Sequence, residues 1–243
     1  MTGVRVIGAA MTRFGPSTGG VRSLAEEAVA AAVADAGAAA ADVGMVVFGN
    51  AAGGVLSGQE MIRGQVALRH TGLLGAPIIN VENACASSSS AFHVAWMAVR
   101  SGTADVALAV GAEKLTHPDK ARTFAMFGTA VDLEEDGEMR VLVESALLGL
   151  GSATPGAAAR SPLMDLYAAT ARAYMGSCGA TPADFARVAV KNRSHAAGNP
   201  HAQFRSAITV DEVLAGRVIA DPLRLLMCAP VGDGAAAVVL ASE

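Results

Sequence analysis

The sequence predicts an α/β fold with a largely parallel sheet that is interrupted by a mostly helical insertion. Short apolar runs alternate with helical patterns through residues 4–111, the order of strand–helix–strand units. A last apolar run, Ala235 to Ala241, returns only after a long stretch rich in helix-start signals, so one strand of the sheet is expected to lie far from the others in sequence. Hydrophobic residues make up 52% of the chain but aromatic residues only 4%, so the core must pack through Ala, Val and Leu.

Val4 to Gly8 reads as the first strand. Ser23-Leu24-Ala25-Glu26 has capping-box spacing, and an Ala-rich helix follows to Ala36, closed by Gly37. Met45 to Gly49 is nearly continuous in apolar character, as a strand buried on both faces is. Gly53, Gly54 and Gly58 predict a loop, and Glu60 to His70 a weaker helix. Ala76 to Val81 is the third strand, Ser87 to Arg100 a helix ended by Gly102, and Val106 to Gly111 the fourth strand. Gly149, Gly151 and Gly156 then mark an irregular stretch. Ser161-Pro162 and Thr181-Pro182 each place an N-cap before a proline, starting helices that reach about Ser177 and His195. Thr209 to Glu212 is a further capping box, before a short helix ended by Gly216, and Gly232-Asp233-Gly234 reads as a turn before the last strand.

The formal charge of −4 argues against nucleic acid as the main partner. No apolar run approaches the length of a membrane span, and the N-terminus lacks a basic segment before an apolar core, so the cytoplasm is the expected location. Three cysteines, far apart, suggest neither a disulfide framework nor a zinc cluster, and no metal site is expected.

One joint carries chemistry. The apolar run to Val81 ends in Glu82-Asn83-Ala84-Cys85-Ala86, and four serines, Ser87 to Ser90, then open an apolar helix. That order places a thiol on a sharp strand-to-helix turn, beside the first N–H groups of a helix, where partial positive charge favours a thiolate. It parallels the nucleophile elbow. The alternative reading of Cys85 is a packed thiol, since free cysteines are among the most buried residues. The helix itself, with Phe92, Val94, Ala95, Trp96, Met97 and Val99, is apolar on nearly every side. Such a helix is buried all round, so a second layer must cover its outer face, supplied by another chain or by the inserted helices. His93 is then expected to be a hydrogen-bonded core histidine. Cys178 and Cys228 read as structural.

Asn83-Ala84-Cys85-Ala86-Ser87 resembles the nucleophile segment of thiolases, and Val106 to Lys114 the strand and turn that follow it there. Ala189-Val190-Lys191-Asn192-Arg193-Ser194-His195-Ala196-Ala197-Gly198-Asn199-Pro200 resembles the sterol-carrier-protein, or lipid-transfer-protein, type of thiolase. Pro222 to Pro230 with Gly232 to Ala237 is similar to the end of that family's N-terminal half. The resemblance implies an N-terminal half only: a mixed, mostly parallel five-stranded sheet with helices on both faces, formed by residues 1–114 and 231–243. Residues 115–230 would be an inserted loop domain on the coenzyme A side.

The function implied is acyl transfer on acyl-CoA thioesters with Cys85 as nucleophile and no permanently bound cofactor. In the family a second half brings a histidine base, a second cysteine and most oxyanion-hole donors. None of those motifs is found here, so a second subunit is expected to supply them. His195, Lys191, Met126 and Phe127 are candidate substrate contacts, each with a plain packing or surface alternative. Lys191, Arg193 and Arg205 could meet coenzyme A phosphates. Homo-association is expected through the strand 76–81. Two other readings stand beside this one: a non-catalytic thiolase-like scaffold, and a subunit of a thiolase-fold retro-aldolase that works with an OB-fold partner.

Overall fold

The computed structural model describes residues 3–130, 132–134, 137, 141 and 162–243. Gly149, Gly151, Gly156 and the Ser161 cap lie outside the described residues. The chain divides into two compact units, Met1–Pro118 with Val231–Glu243, and Asp119–Pro230.

The first unit contains β1 (Val4–Met11), α1 (Val21–Asp35), β2 (Met45–Gly49), α2 (Gly53–Ser57), α3 (Arg63–Ala67), β3 (Ile78–Val81), α4 (Ser87–Arg100) and β4 (Val106–Lys114). In the second unit are α5 (Lys120–Phe127), α6 (Pro162–Cys178), α7 (Pro182–Ala197), α8 (Val210–Ala215) and the antiparallel hairpin of β5 (Val218–Ala220) with β6 (Leu223–Arg224). The chain then returns to the first unit as β7 (Asp233–Ser242).

The five strands lie in the order β1-β7-β4-β2-β3. β2 pairs parallel with β3 and β4, while β7 runs antiparallel to both β4 and β1. The sheet is therefore mixed, with four of its five strands running in one direction and β7 against them. The alternation of side chains along each strand builds two cores. Val46, Phe48, Leu108, Val110 and Val239 face α1 and its Leu24, Ala28, Val29 and Ala32. Val47, Ala107, Ala109 and Leu240 face α4 and its Ala91, Ala95 and Val99. Full burial of a side chain such as Phe48 or Leu108 contributes about 1.5–3 kcal/mol.

Glycines set how closely the helices approach. A Cβ on Gly8 would lie 2.5 Å from the backbone of Ala32 on α1 and of Ala36 just after it. A Cβ on Gly49 would lie 2.8 Å from the Ser87 carbonyl oxygen, and one on Gly111 would overlap the Ser88 hydroxyl. The start of α4 thus rests directly on β2 and β4.

Several expectations need correction. α1 begins at Val21, with Gly20 at its N-cap, so the Ser23 capping box does not form; the Ser23 hydroxyl instead donates to the Gly20 carbonyl at 3.0 Å. The expected loop at Gly53 and Gly54 is a one-turn helix, and only Arg63–Ala67 of the expected 60–70 helix is helical. The predicted turn at Gly232-Asp233-Gly234 instead opens β7, because Lys114 and Asp233 pair across the two strands. The cap at Thr209 forms as expected, with the Thr209 hydroxyl accepting from Glu212 N at 3.2 Å. No helix among the described residues is long and apolar enough to cross a membrane.

Candidate active site

β3 ends at Val81, and the chain reverses through Glu82 and Asn83 into a single 3-10 turn, Ala84–Ala86, that runs straight into α4. Cys85 sits in the middle of that turn and is exposed. Ala84, immediately before it, has φ of +43°, a left-handed backbone that costs a non-glycine residue about 1–3 kcal/mol. Side chains hold this turn in place. Glu82 Oε1 accepts from Ala84 N at 2.6 Å, and the buried Ser87 hydroxyl donates to the Ala84 carbonyl at 2.7 Å while accepting from Asn83 N at 2.9 Å. Asn83 Nδ2 donates to the Ser90 hydroxyl at 2.9 Å. The serines therefore tie the turn to the helix start.

The outer face of α4, which the expected second layer would cover, is open in this chain. Ser87, Ala91, Ala95, Ala98 and Val99 are buried, but Phe92 and Trp96 are each 38% exposed and Met97 43%. His93 is exposed too, its ring stacked on Trp96 with centroids 5.9 Å apart, so it is no core histidine. It lies on the helix face turned away from the sheet.

The neighbouring strand ends carry a polar network that sequence reasoning missed. Asn50, 3% exposed at the end of β2, donates through Nδ2 to the Ala112 carbonyl at 2.8 Å and to Glu113 Oε1 at 2.6 Å. Glu113 also accepts from Ala51 N at 2.9 Å and Ala52 N at 3.1 Å, holding the entry to α2. Arg63 braces the same loop, donating to the carbonyls of Asn50 at 3.1 Å and Gln59 at 3.0 Å. Burial pushes the Glu113 carboxyl above the usual range, and the bonds from Ala51, Ala52 and Asn50 and the Arg63 charge offset only part of that. A cavity of about 200 Å³ opens between this loop and the end of β3, lined by Asn50, Glu60, Arg63, Asn80 and Glu82. It occupies the crevice outside the carboxyl ends of adjacent parallel strands whose connections leave on opposite faces, where ligands of open α/β sheets bind.

Asp233 anchors a second network. Its side chain is fully buried and accepts five hydrogen bonds: from Ser17 N at 2.8 Å, Lys114 Nζ at 2.6 Å, Leu115 N at 2.9 Å, Thr116 N at 2.8 Å and the Thr116 hydroxyl at 2.5 Å. Burial alone would raise its pKa. The Lys114 ammonium and the Thr116 and Ser17 donors outweigh it and hold the carboxylate below the usual range. A charged residue adjoining an apolar strand was the available signal for both networks: Glu113-Lys114 after the apolar 106–112 run, and Asp233 before 235–241.

The remaining candidates lie in the second unit. Met126 and Phe127 are half-buried at the end of α5. Lys191 and His195, exposed and four residues apart, share one face of α7. Arg193 places its guanidinium 4.5 Å from the centre of the Phe204 ring, and Arg205 donates to the Ala197 carbonyl at 3.5 Å. Cys178 is exposed and its thiol donates to the Tyr174 carbonyl at 3.0 Å. Burial pushes the Cys228 thiol up, with the Arg217 charge opposing, and the thiol donates to the Arg224 carbonyl at 3.4 Å.

Comparison with known proteins places this geometry. The chain is 37% identical over 241 residues to an acetyl-CoA acetyltransferase of Methanothermobacter thermautotrophicus, covering 99% of this chain and 57% of that protein. It is 35% identical over 243 residues to sterol carrier protein 2 of Gallus gallus, covering 99% of this chain and 41% of that one. The benzoylsuccinyl-CoA thiolase subunit BbsB of Thauera aromatica is 39% identical over 186 residues, 75% of this chain and 42% of BbsB. The chain thus spans about half the length of the curated relatives it matches. Among solved structures, the Ltp2-ChsH2(DUF35) aldolase superposes with a TM-score of 0.66 at 29% identity, over 99% of this chain and 56% of that one. Human mitochondrial 3-ketoacyl-CoA thiolase shares the fold, with a TM-score of 0.63 at 17% identity over 100% of this chain and 65% of its own. Residues 4–243 match the thiolase N-terminal domain, and the chain belongs to the thiolase family.

Proposed function

We propose that this chain is the nucleophile-bearing half of a thiolase-type acyltransferase acting on acyl-CoA thioesters. The observation that carries the reading is the exposed Cys85 on a strained, hydrogen-bonded turn at the start of α4. In this scheme the Cys85 thiolate attacks the thioester carbonyl, and the tetrahedral oxyanion collapses with loss of the coenzyme A thiolate, which takes up a proton. The acyl group now on Cys85 passes to a carbanion, and the sulfur leaves as thiolate. Backbone N–H groups at the turn offer part of the oxyanion stabilisation. A histidine base, a second cysteine and the other oxyanion donors come from polypeptide outside this sequence, seated against the exposed face of Phe92, Trp96 and Met97. Coenzyme A thioester enters as substrate and no resident cofactor is needed. Met126, Phe127, Lys191 and His195 of the inserted unit are assigned to the substrate. Copies associate through residues 76–81, and the assembly works in the cytoplasm.

Incubation with an acyl-CoA, with and without the protein that supplies the second half, followed by mass spectrometry of the Cys85 peptide, tests this. Acylation of Cys85 in the complete assembly, lost in Cys85→Ala, is the expected result. Absence of acylation there sinks the proposal, and unchanged activity of the Cys85→Ala assembly would favour a scaffold role.

A second reading is favoured by the likeness to the Ltp2-ChsH2(DUF35) aldolase. In it the chain belongs to a retro-aldolase that cleaves a carbon–carbon bond in a coenzyme A thioester, together with a small OB-fold partner. An assembly that releases an aldehyde or ketone from a β-hydroxyacyl thioester without acylating Cys85 would select it.

A further inference from the structure

We propose that Glu82 is a positioning residue for Cys85, acting through the strained peptide between them. The inference rests on the reading of Cys85 as the nucleophile. Ala84 is in the left-handed region at φ +43°, which an alanine leaves unless its neighbours hold it. Its two backbone polar groups are gripped from opposite sides. Glu82 Oε1 accepts its N–H at 2.6 Å, and the buried Ser87 hydroxyl donates to its carbonyl at 2.7 Å. The Ser87 grip belongs to the helix start and is backed by its second bond, from Asn83 N at 2.9 Å. The Glu82 grip stands alone, because Ala84 opens the 3-10 turn and its N–H has no helical acceptor.

Glu82 is otherwise exposed, and it lines the 200 Å³ cavity with Asn50, Arg63 and Asn80. A solvent-facing carboxylate is therefore committed to one backbone N–H, one residue before the thiol. Without it the Ala84 peptide relaxes toward a right-handed conformation, and the direction of the Cys85 Cα–Cβ bond turns with it.

The test uses the whole chain and two readouts. The first is amide hydrogen exchange at Ala84. The second is the alkaline-plateau rate of Cys85 alkylation by iodoacetamide, with Cys178 of the same chain as internal reference. On that plateau the thiolate is fully formed, so the charge at position 82 no longer sets its population. Glu82→Ala is expected to speed exchange at Ala84 about tenfold and to lower the Cys85-to-Cys178 rate ratio about threefold. Glu82→Gln, whose amide oxygen accepts the same bond, restores both. In an Ala84→Gly background, where positive φ carries no strain, Glu82→Ala leaves the ratio unchanged. Wild-type values for both readouts in Glu82→Ala, or failure of Glu82→Gln to restore them, overturns the proposal. A general loss of structure is recognised by faster exchange at the amides of β2 and β4, which the proposal leaves unchanged. Neither readout uses a thioester, so failure of the acyl-transfer reading and failure of this one are separately visible.

Discussion

The two ends of the five-stranded sheet are built from different chemistry. At the end where β1, β2, β3 and β4 begin, backbone bonds do the joining: Gly44 N to the Val106 carbonyl at 2.9 Å, Ser242 N to the Asp105 carbonyl at 2.9 Å, and Glu243 N to the Gly3 carbonyl at 3.1 Å. A side-chain ion pair there, Arg5 with Glu243 at 2.9 Å, leaves its side chains 69% and 52% exposed. At the opposite end Asn50, Glu113 and Asp233 are buried or half-buried and hydrogen-bonded, and the Cys85 turn lies at that same end, after β3. Turns that only connect strands are held by backbone bonds and by short-range side-chain bonds, such as Asp42 Oδ2 accepting from Ala39 N at 2.7 Å and Ser101 donating to the Ala98 carbonyl at 3.1 Å. An end that must present a thiol on a strained turn and frame a cavity needs fixed side chains.

The largest expected effect is at Asp233. Asp233→Ala leaves Lys114, whose side chain is 24% exposed, without its counter-charge and four further donors without their acceptor. A loss of about 3 kcal/mol is expected by denaturant melt. A loss below about 1 kcal/mol would mean that water replaces the carboxylate and that the two ends are energetically alike.

Next is Asn50→Ala, which removes both the Asn50 donors to Ala112 and Glu113 and the acceptor of Gly53 N. About 2 kcal/mol is expected. The same variant should open loop 51–63 to proteolysis ahead of global unfolding, since the bonds from Ala51 N and Ala52 N to Glu113 then lose the support of the Asn50 side chain.

The pH dependence sharpens the contrast between the two carboxylates. Asp233 has a depressed folded value, so its contribution is full above the ordinary aspartate value of about 3.9 and is lost as pH falls through the folded value. Glu113 has a raised value, so its contribution is full below the ordinary glutamate value of about 4.3 and is lost as pH rises through the folded one. Midpoints of denaturation measured against pH should therefore flatten on the acid side in Asp233→Asn and on the neutral side in Glu113→Gln. Parallel curves for wild type and both variants would refute the assignment.

The smallest effect is at the other end of the sheet. Arg5→Ala is expected to cost no more than about 0.5 kcal/mol, and less in high salt. A cost above about 1 kcal/mol would erase the distinction between the two ends.

How legible each feature was follows from sequence distance. The Cys85 turn is encoded in consecutive residues, so an apolar strand, a thiol, four serines and an apolar helix could be read together. Asn50 and Glu113 are 63 positions apart, and Lys114 and Asp233 are 119. Nothing local announces such pairs. Asp233 between two glycines carries every mark of a turn, and only its pairing opposite Lys114 makes it the start of a strand. The failed cap at Ser23 has the same cause. Packing of α1 on the sheet extends the helix back to Val21, past the residue that local propensity would choose.

By itself the sequence determined the α/β class, the late return of the last strand and Cys85 as the residue to watch, because periodicity, caps and turn residues act within a few positions along the chain. Its apolar α4 also announced a helix with two faces to cover. Only the tertiary structure decided that one of those faces, with Phe92, His93, Trp96 and Met97, is exposed in this chain. It also decided that the glycines of β2 and β4 seat the start of α4, and that polar side chains distant in sequence pair at the same end of the sheet. Those outcomes depend on which strands become neighbours, and strand pairing is settled by the packing of the whole sheet.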